Sequence, residues 1–318
     1  MSEDKPIECL VVGAGISGLT AATRLSESGI KTLILDKGRG VGGRMACRRM
    51  EDARLDHGAQ FFTQRNPILE DRMKAWKKNG IIQEWYSTEK DTFWRGEDGM
   101  TRLPKYLAKN LQIENSAKVT SIKFMESKWE VFIEDGRLYR SNSLILTAPL
   151  PQACALIHSA NFSISENDFK KLSSVKYTRC LAALLLLDRP SKIELPGIIK
   201  LQDSDVETIV DNQVKGISKT PSITLHSSPD FANEHWDSDN SKRLPPLIES
   251  AQPYINSSIQ NTSVHRWGFA KTLNPISDTH YFMEEKSLAL AGDGFIGGRV
   301  EAAMLSGLAA AESILSSR

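Results

Sequence analysis

Ile7-Glu-Cys-Leu-Val-Val-Gly-Ala-Gly-Ile-Ser-Gly18, followed by Leu19–Gly29 and then Lys31-Thr-Leu-Ile-Leu-Asp36, decides the fold of this chain. The apolar run Ile7–Val12 predicts a buried parallel strand. Gly13, Gly15 and Gly18 supply a tight turn, a close backbone approach to a pyrophosphate, and close helix–strand packing. Ile16, Leu19, Ala22 and Leu25 keep helical spacing, and Gly29 is placed to end the helix. Lys31–Leu35 predicts a second strand closing on Asp36, an acceptor for the hydroxyls of an adenosine ribose. The helix N-terminus turns free N–H groups and a positive dipole end toward phosphate. The stretch is therefore a complete dinucleotide-binding unit and not an isolated glycine pattern.

The same glycine spacing recurs at Gly38-Arg-Gly-Val-Gly-Gly43 and Gly292-Asp-Gly-Phe-Ile-Gly297. The first lacks a third strand with an acidic end at the right distance. The second lies between a strand-like Ser287–Ala291 and a helix-like Val300–Leu315, but the sequence reaches Arg318 before a βαβ unit is complete. Neither is expected to be an independent site of this kind.

At 318 residues, with 40% hydrophobic and 25% charged side chains, the chain has room for two cores. Its longest apolar run, Cys180–Leu187, is too short to span a bilayer. The charged opening Met1–Pro6 leads straight into the first strand, so no signal peptide and a cytoplasmic location are expected. A net charge of +1 gives no electrostatic reason for nucleic acid or an anionic membrane as partner. Cys9, Cys47, Cys154 and Cys180 form no Cys-x-x-Cys pair and read as small apolar core residues. The six histidines show no metal spacing, so no metal is expected; the oligomeric state is not legible.

Beyond Asp36, Arg39 and Arg44 stand among four glycines, where a guanidinium can neutralise a pyrophosphate with paired hydrogen bonds; a solvated basic loop is the other reading. Asp56-His-Gly-Ala-Gln-Phe-Phe62 is a further small-residue turn ending in aromatics. Later landmarks are Gly99-Met-Thr-Arg-Leu-Pro-Lys-Tyr-Leu107, Lys128-Trp-Glu-Val131, Leu144–Pro149, His265-Arg-Trp267, Gly292-Asp-Gly-Phe295, Arg299-Val-Glu301 and Ser306-Gly307. Together with Gly42-Gly43-Arg44, these motifs resemble the flavin amine oxidase superfamily and, within it, the small renalase-like flavoproteins, across almost the whole chain. Gly-Gly-Arg and the terminal Gly-Asp are common to many flavin oxidases. The Gly-Ala-Gln turn, His-Arg-Trp and the short length point to the renalase-like branch.

The resemblance implies an α/β, two-domain FAD-binding fold of p-hydroxybenzoate hydroxylase-like topology, with a Rossmann-like dinucleotide domain and a mixed α+β substrate domain. It implies a discontinuous FAD domain from 1–65, 98–150 and 270–318, and a substrate domain from 66–97 and 151–269. Alternation of Trp129, Val131 and Ile133, with Asp135-Gly136 as turn, predicts a hairpin inside the first. The polar stretch His226–Arg243 reads as a surface loop or a lid. FAD is expected to be non-covalent, held by Gly13, Gly15, Ser17, Gly18, Asp36, Lys37, Gly43, Arg44, Gln60, Phe61, Val119, Gly292, Asp293, Arg299 and Val300. A helix beginning near Val300 would favour negative charge on the flavin. Asp293 would hold the ribityl chain or nearby phosphate, unless it serves as a helix cap.

The expected chemistry is hydride transfer to the flavin from a small reduced donor, with O2 as acceptor and hydrogen peroxide as product. The renalase-like branch implies 2- or 6-dihydro isomers of NAD(P), returned to NAD(P)+. Gln60, Phe61, His265 and Trp267 are the expected catalytic positions. Gln60 also suits a turn-satisfying amide, Phe61 a core aromatic and His265 a structural strand residue. Gly268-Phe269 departs from the larger residue that relatives carry after His-Arg-Trp, and Lys271 is a candidate for a lysine near the flavin or an exposed strand-end lysine. An amine or polycyclic-substrate oxidase, and a non-enzymatic flavin- or nucleotide-binding protein, are the alternatives.

Overall fold

The computed structural model describes residues 7–318, so the expectation built on Met1–Pro6 lies outside the described residues. Two compact units emerge. The first holds the described residues up to Gly43, with Pro104–Lys176 and Thr272–Arg318; the second holds Arg44–Leu103 and Tyr177–Lys271.

Unit 1 is built on a six-stranded sheet in the order Tyr281–Met283, Leu288–Leu290, Ser143–Leu146, Cys9–Val12, Thr32–Leu35, Gln112–Glu114. All neighbours run parallel except the Tyr281–Met283 edge. Cys9–Val12 (β1) and Thr32–Leu35 (β2) are buried throughout, as the uninterrupted apolar runs require of a sheet covered on both faces. Between them runs the helix Ile16–Glu27 (α1), which ends as Gly29 takes φ +80° and its N–H bonds the Ser26 carbonyl. The C-terminal helix Val300–Ser316 packs along α1. A Cβ on Gly307 would lie 2.2 Å from the Ser17 carbonyl oxygen, so a side chain there would force the two helices apart.

A three-stranded antiparallel sheet completes the unit, with Lys128–Ile133 between Val119–Met125 and Leu138–Ser141. Trp129, Val131 and Ile133 are buried from one face, as their alternation predicts. The Trp129 indole donates to the Lys286 carbonyl at 2.7 Å, which satisfies its polar edge inside the core.

Unit 2 centres on a five-stranded antiparallel sheet, ordered Ile198–Lys200, Val206–Asp211, Ser222–Ser227, Cys180–Leu187, Ile259–Trp267. Its strand Cys180–Leu187 is apolar on both sides. Leu181, Ala183, Leu185 and Leu187 join Ile209, Leu225, Phe231 and Leu247 in one core. Leu184 and Leu186 point the other way, onto Met50, Ala53 and Leu55 of the hairpin Cys47–Met50/Ala53–Asp56.

That hairpin is why residues 44–65 fall in unit 2 and not with the dinucleotide-binding segments, as the resemblance implied. Residues 98–103 go with it, since Met100 N–H bonds the Asp56 carboxylate and Thr101 Oγ1 donates to the Met45 carbonyl. Residues 151–176 fall in unit 1 because the helix Leu150–His158 packs on Val119–Met125 and on the helix Glu166–Ser173. The stretch His226–Arg243 also departs from expectation. It contains the helix Pro229–Glu234 and the start of Asn240–Ala251. Ser228 Oγ accepts from Phe231 N–H, and the Asp239 carboxylate accepts from Ser241 and Lys242 N–H. The polar residues that read as loop composition are helix caps.

Candidate active site

The glycines of the first turn differ in what demands them. Gly13 takes φ +113°, and a Cβ there would lie 2.5 Å from Thr147 Oγ1; on Gly18 it would lie 2.0 Å from the Gly13 carbonyl oxygen. Protein packing accounts for both. Gly15 has an ordinary φ of −73°, caps α1 with no side-chain hydrogen bond, and a Cβ on it would meet nothing within 4 Å. Its missing side chain keeps open the space in front of the helix N-terminus, which fits a phosphate-bearing ligand. Ser17 beside it is buried, and its Oγ has no hydrogen-bond partner among the described residues.

Asp36 ties two glycine turns together. Its Oδ2 accepts from Ala14 N–H and its Oδ1 from Gly38 N–H, both at 2.6 Å, and a carboxylate retains lone pairs for ribose hydroxyls. Gly42 N–H bonds the Ala14 carbonyl, and a Cβ on Gly43 would lie 3.4 Å from Gly15 Cα, so the two loops run side by side. The Asp36 carbonyl accepts from Ala117 N–H, placing half-buried Val119 two residues further along. Lys37 is exposed and reaches Gln152 at 3.5 Å.

Thr147 joins the late segment to this cradle. Its hydroxyl bonds the Val12 carbonyl at 2.9 Å, and a Cβ on Gly292 would stand 3.7 Å from its carbonyl oxygen. Gly292 takes φ +142° and gives its N–H to Ser306 Oγ at 2.9 Å. Asp293 is buried and accepts from Thr272 Oγ1 at 2.9 Å. It does not cap a helix, because Arg299 occupies the cap position before Val300. Thr147 was not singled out from the sequence; its position directly after an apolar strand and opposite the first glycine turn is the signal.

Unit 2 carries the remaining candidates. Arg44 is half-buried, its Nη1 donating to the Phe269 carbonyl at 3.1 Å and its guanidinium lying over the Tyr177 ring. Phe61 stands edge-on to Phe93, with ring centres 4.9 Å apart. His265 and Trp267 gather with His57: the His57 and Trp267 rings stack at 5.4 Å, and His265 lies 4.7 Å from His57 and 4.3 Å from Trp267. The Trp267 indole donates to the His57 carbonyl at 2.7 Å. Burial pushes the His57 imidazole down to about 3, helped by His265, Arg48 and His226. Burial likewise pushes His226 down to about 4 and lowers His265, with Arg48 contributing to the latter. The cluster is neutral at physiological pH.

Gln60 is buried, with Nε2 donating to the Asp56 and Gly58 carbonyls at 2.8 and 3.2 Å and Oε1 accepting from Lys215 at 3.1 Å. It holds the 56–60 turn, which matches the turn-satisfying alternative. Lys215 escaped the sequence reading; fully buried, it pairs with the Asp56 carboxylate at 2.7 Å. Lys271, the lysine singled out from sequence, is instead exposed and paired with Glu207. The Sγ of Cys47 lies 2.6 Å from Asp56 Oδ1; burial, with Asp56 adding to it, pushes that thiol up to about 12. Gly268 faces the Trp236 ring, where a Cβ would make an ordinary 3.7 Å contact. Among the described residues, no group of three or more His, Cys, Asp or Glu is placed to hold a metal ion, and no helix is long and apolar enough to cross a membrane.

Residues 11–76 match an NAD(P)-binding Rossmann-like domain, and residues 77–315 match the flavin containing amine oxidoreductase family. The chain belongs to that family. Within it, the chain is renalase-like: it is 27% identical to renalase of Mus musculus over 316 residues, covering 90% of this chain and 92% of that protein. Solved structures share the fold. Putrescine oxidase bound to putrescine superposes with a TM-score of 0.73 at 13% identity, covering 98% of this chain and 99% of that one. Cyclohexylamine oxidase from Brevibacterium oxydans gives 0.72 at 12% identity with the same coverage. This flavin amine oxidoreductase is therefore an FAD-dependent enzyme. The open face of Gly15, the partnerless Ser17 hydroxyl and the Asp36 carboxylate suit its dinucleotide.

Proposed function

We propose that the enzyme oxidises a 2- or 6-dihydro isomer of NAD(P) to NAD(P)+, with O2 as the final acceptor and hydrogen peroxide as product. Bound FAD supplies the two-electron acceptor. In this reading Gly13, Gly15, Ser17 and Gly18 take the pyrophosphate, Asp36 the ribose, and Lys37, Gly43 and Arg44 the adjoining charge. Val119 lines the adenosine end, while Gly292, Asp293, Arg299 and Val300 serve the flavin end. FAD is non-covalent and the protein is cytoplasmic.

The observation that carries the donor assignment is the neutral cluster of His57, His265 and Trp267 with the Arg48 charge acting on it. Flat uncharged rings suit an uncharged dihydropyridine. The nearby arginine repels a protonated amine and attracts a donor that carries phosphates. Trp267 and His265 orient the ring, and the 57–61 turn with Phe61 closes round it. Hydride transfer needs the reacting carbon held about 3–3.5 Å from its acceptor and correctly aimed, so a pocket shaped for one regioisomer misaligns another.

Anaerobic stopped-flow mixing tests this reading. Rapid flavin bleaching by the 2- or 6-dihydro isomers, with slow bleaching by 4-dihydro NADH and by benzylamine or putrescine, is the expected result. Fast reduction by the amines, with no response to the isomers, overturns it and makes the protein an amine oxidase.

A further inference from the structure

We infer that Lys215 is a positioning residue for the reaction, fixing the side-chain amide of Gln60 and, through the 56–60 turn, the indole of Trp267. The inference rests on the reading that Trp267 faces the donor. Lys215 has no exposed side-chain surface, and neither has its partner Asp56. All three ammonium protons have a destination: Asp56 Oδ2 at 2.7 Å, Gln60 Oε1 at 3.1 Å, and the face of the Trp85 ring at 4.9 Å from its centre.

This arrangement leaves Gln60 one orientation. With Oε1 on the ammonium, its two N–H groups meet the Asp56 and Gly58 carbonyls. A flipped amide would set donors against the Lys215 ammonium and its oxygen against two carbonyl oxygens, so the buried cation selects the observed state. Gln60 in turn draws the carbonyls on either side of His57 toward one point. The His57 carbonyl is thereby presented outward, where Trp267 Nε1–H reaches it at 2.7 Å and His226 Nε2 lies 3.3 Å away. Thr224 Oγ1 also bonds the Asp56 carbonyl at 2.9 Å, anchoring the turn to the sheet strand that carries His226. The path from Lys215 to Trp267 thus runs through hydrogen bonds at each end and the backbone of residues 56–58 between them, all within unit 2.

Asp56 anchors the other end. Its Oδ1 accepts from Met100 N–H at 2.9 Å and from the Cys47 thiol, leaving Oδ2 to Lys215. Burial pulls Lys215 toward its neutral form and the Asp56 carboxylate opposes this, so the ammonium depends on that carboxylate for its charge.

The test uses nitrogen-15 spectra of the FAD-loaded protein, with the Gln60 side-chain amide and Trp267 indole signals assigned by their loss in Gln60→Ala and Trp267→Phe. In the wild type, the Gln60 amide protons should exchange at least about a hundredfold more slowly than those of exposed Gln260. Lys215→Met should shift the Trp267 indole signal and speed Gln60 exchange by about tenfold or more, while the exposed-site control Lys219→Met moves neither. Asp56→Asn combined with Lys215→Met, which removes both charges, should show the same changes and serves if the single variant does not fold. An unshifted Trp267 signal in either folded variant, or Gln60 exchange in the wild type as fast as that of Gln260, overturns the inference. A parallel anaerobic reduction separates it from the donor assignment. Shifted signals with a wild-type flavin that no dihydronicotinamide reduces uphold the coupling and sink that assignment, and rapid reduction with unmoved signals does the reverse.

Discussion

A Cβ placed on Gly18 would lie 2.0 Å from the carbonyl oxygen of Gly13, whereas one on Gly15 would touch nothing within 4 Å. The two positions should therefore separate folding from cofactor binding. Gly18→Ala is expected to destabilise the apoprotein by about 1–3 kcal/mol, because backbone must yield to backbone. Gly15→Ala should change urea stability by less than about 1 kcal/mol, a weakened helix cap at most, yet sharply reduce FAD affinity. Equal losses of stability in the two would refute the distinction.

Arg44→Ala should reduce FAD retention more than Arg39→Ala. Arg44 is half-buried and held by the Phe269 carbonyl, whereas Arg39 is exposed. Loss of a charge-assisted phosphate contact costs about 1.5–3 kcal/mol, roughly ten- to a hundredfold in affinity. Flavin content of the two purified variants decides the point, and parity between them would remove Arg44 from the cofactor site.

Acid should unfold the protein partly through its buried imidazoles. His57 titrates near 3 and His226 near 4 when folded, against 6.5 for an ordinary histidine, with burial the first cause for both. The unfolded chain therefore binds more protons in this window, and stability falls as pH drops from about 6.5 toward 4. For His226 the loss is on the order of 3 kcal/mol. His226→Gln should flatten the dependence of the urea midpoint on pH across that window; an unchanged slope would mean that His226 is charged in the native state.

Heat or acid precipitation should release all the flavin into the supernatant. Residues 281–318, which include the flavin-end residues Gly292, Asp293, Arg299 and Val300 of the proposed site, contain neither cysteine nor histidine. Cys9 and Cys47 are pushed by burial up to about 12, far from the thiolate form that attacks a flavin ring. Colour retained in the pellet after washing would show a covalent bond instead.

The dinucleotide unit was legible because each of its demands is local. A buried strand, a glycine turn, an amphipathic helix and an acidic strand end fall within 30 residues, and each leaves its mark on residue type. The Trp129 hairpin was legible for the same reason. What escaped is what the tertiary fold assembles. Lys215 is 159 residues from Asp56, and an isolated lysine beside a glycine carries no mark of burial. Thr147 stands 134 residues from the Gly13 turn that it braces. Ser228 and Asp239 misled in the opposite way, since serine and aspartate serve loops and helix caps alike, and only a neighbouring N–H tells them apart.

The parallel sheet of unit 1 joins strands from Cys9–Val12 to Leu288–Leu290, and the helix that braces α1 begins only at Val300. During synthesis, β1 and β2 gain their sheet partners once Ser143–Leu146 is made, but the strand Leu288–Leu290 and the second covering helix come much later. The cofactor fold is thus completed late, through contacts of high sequence separation, and the strand Ser143–Leu146 and the helix α1 pass that interval with apolar surface uncovered. Yield in the cell will accordingly depend on chaperone supply and growth temperature more than on the stability of the finished enzyme.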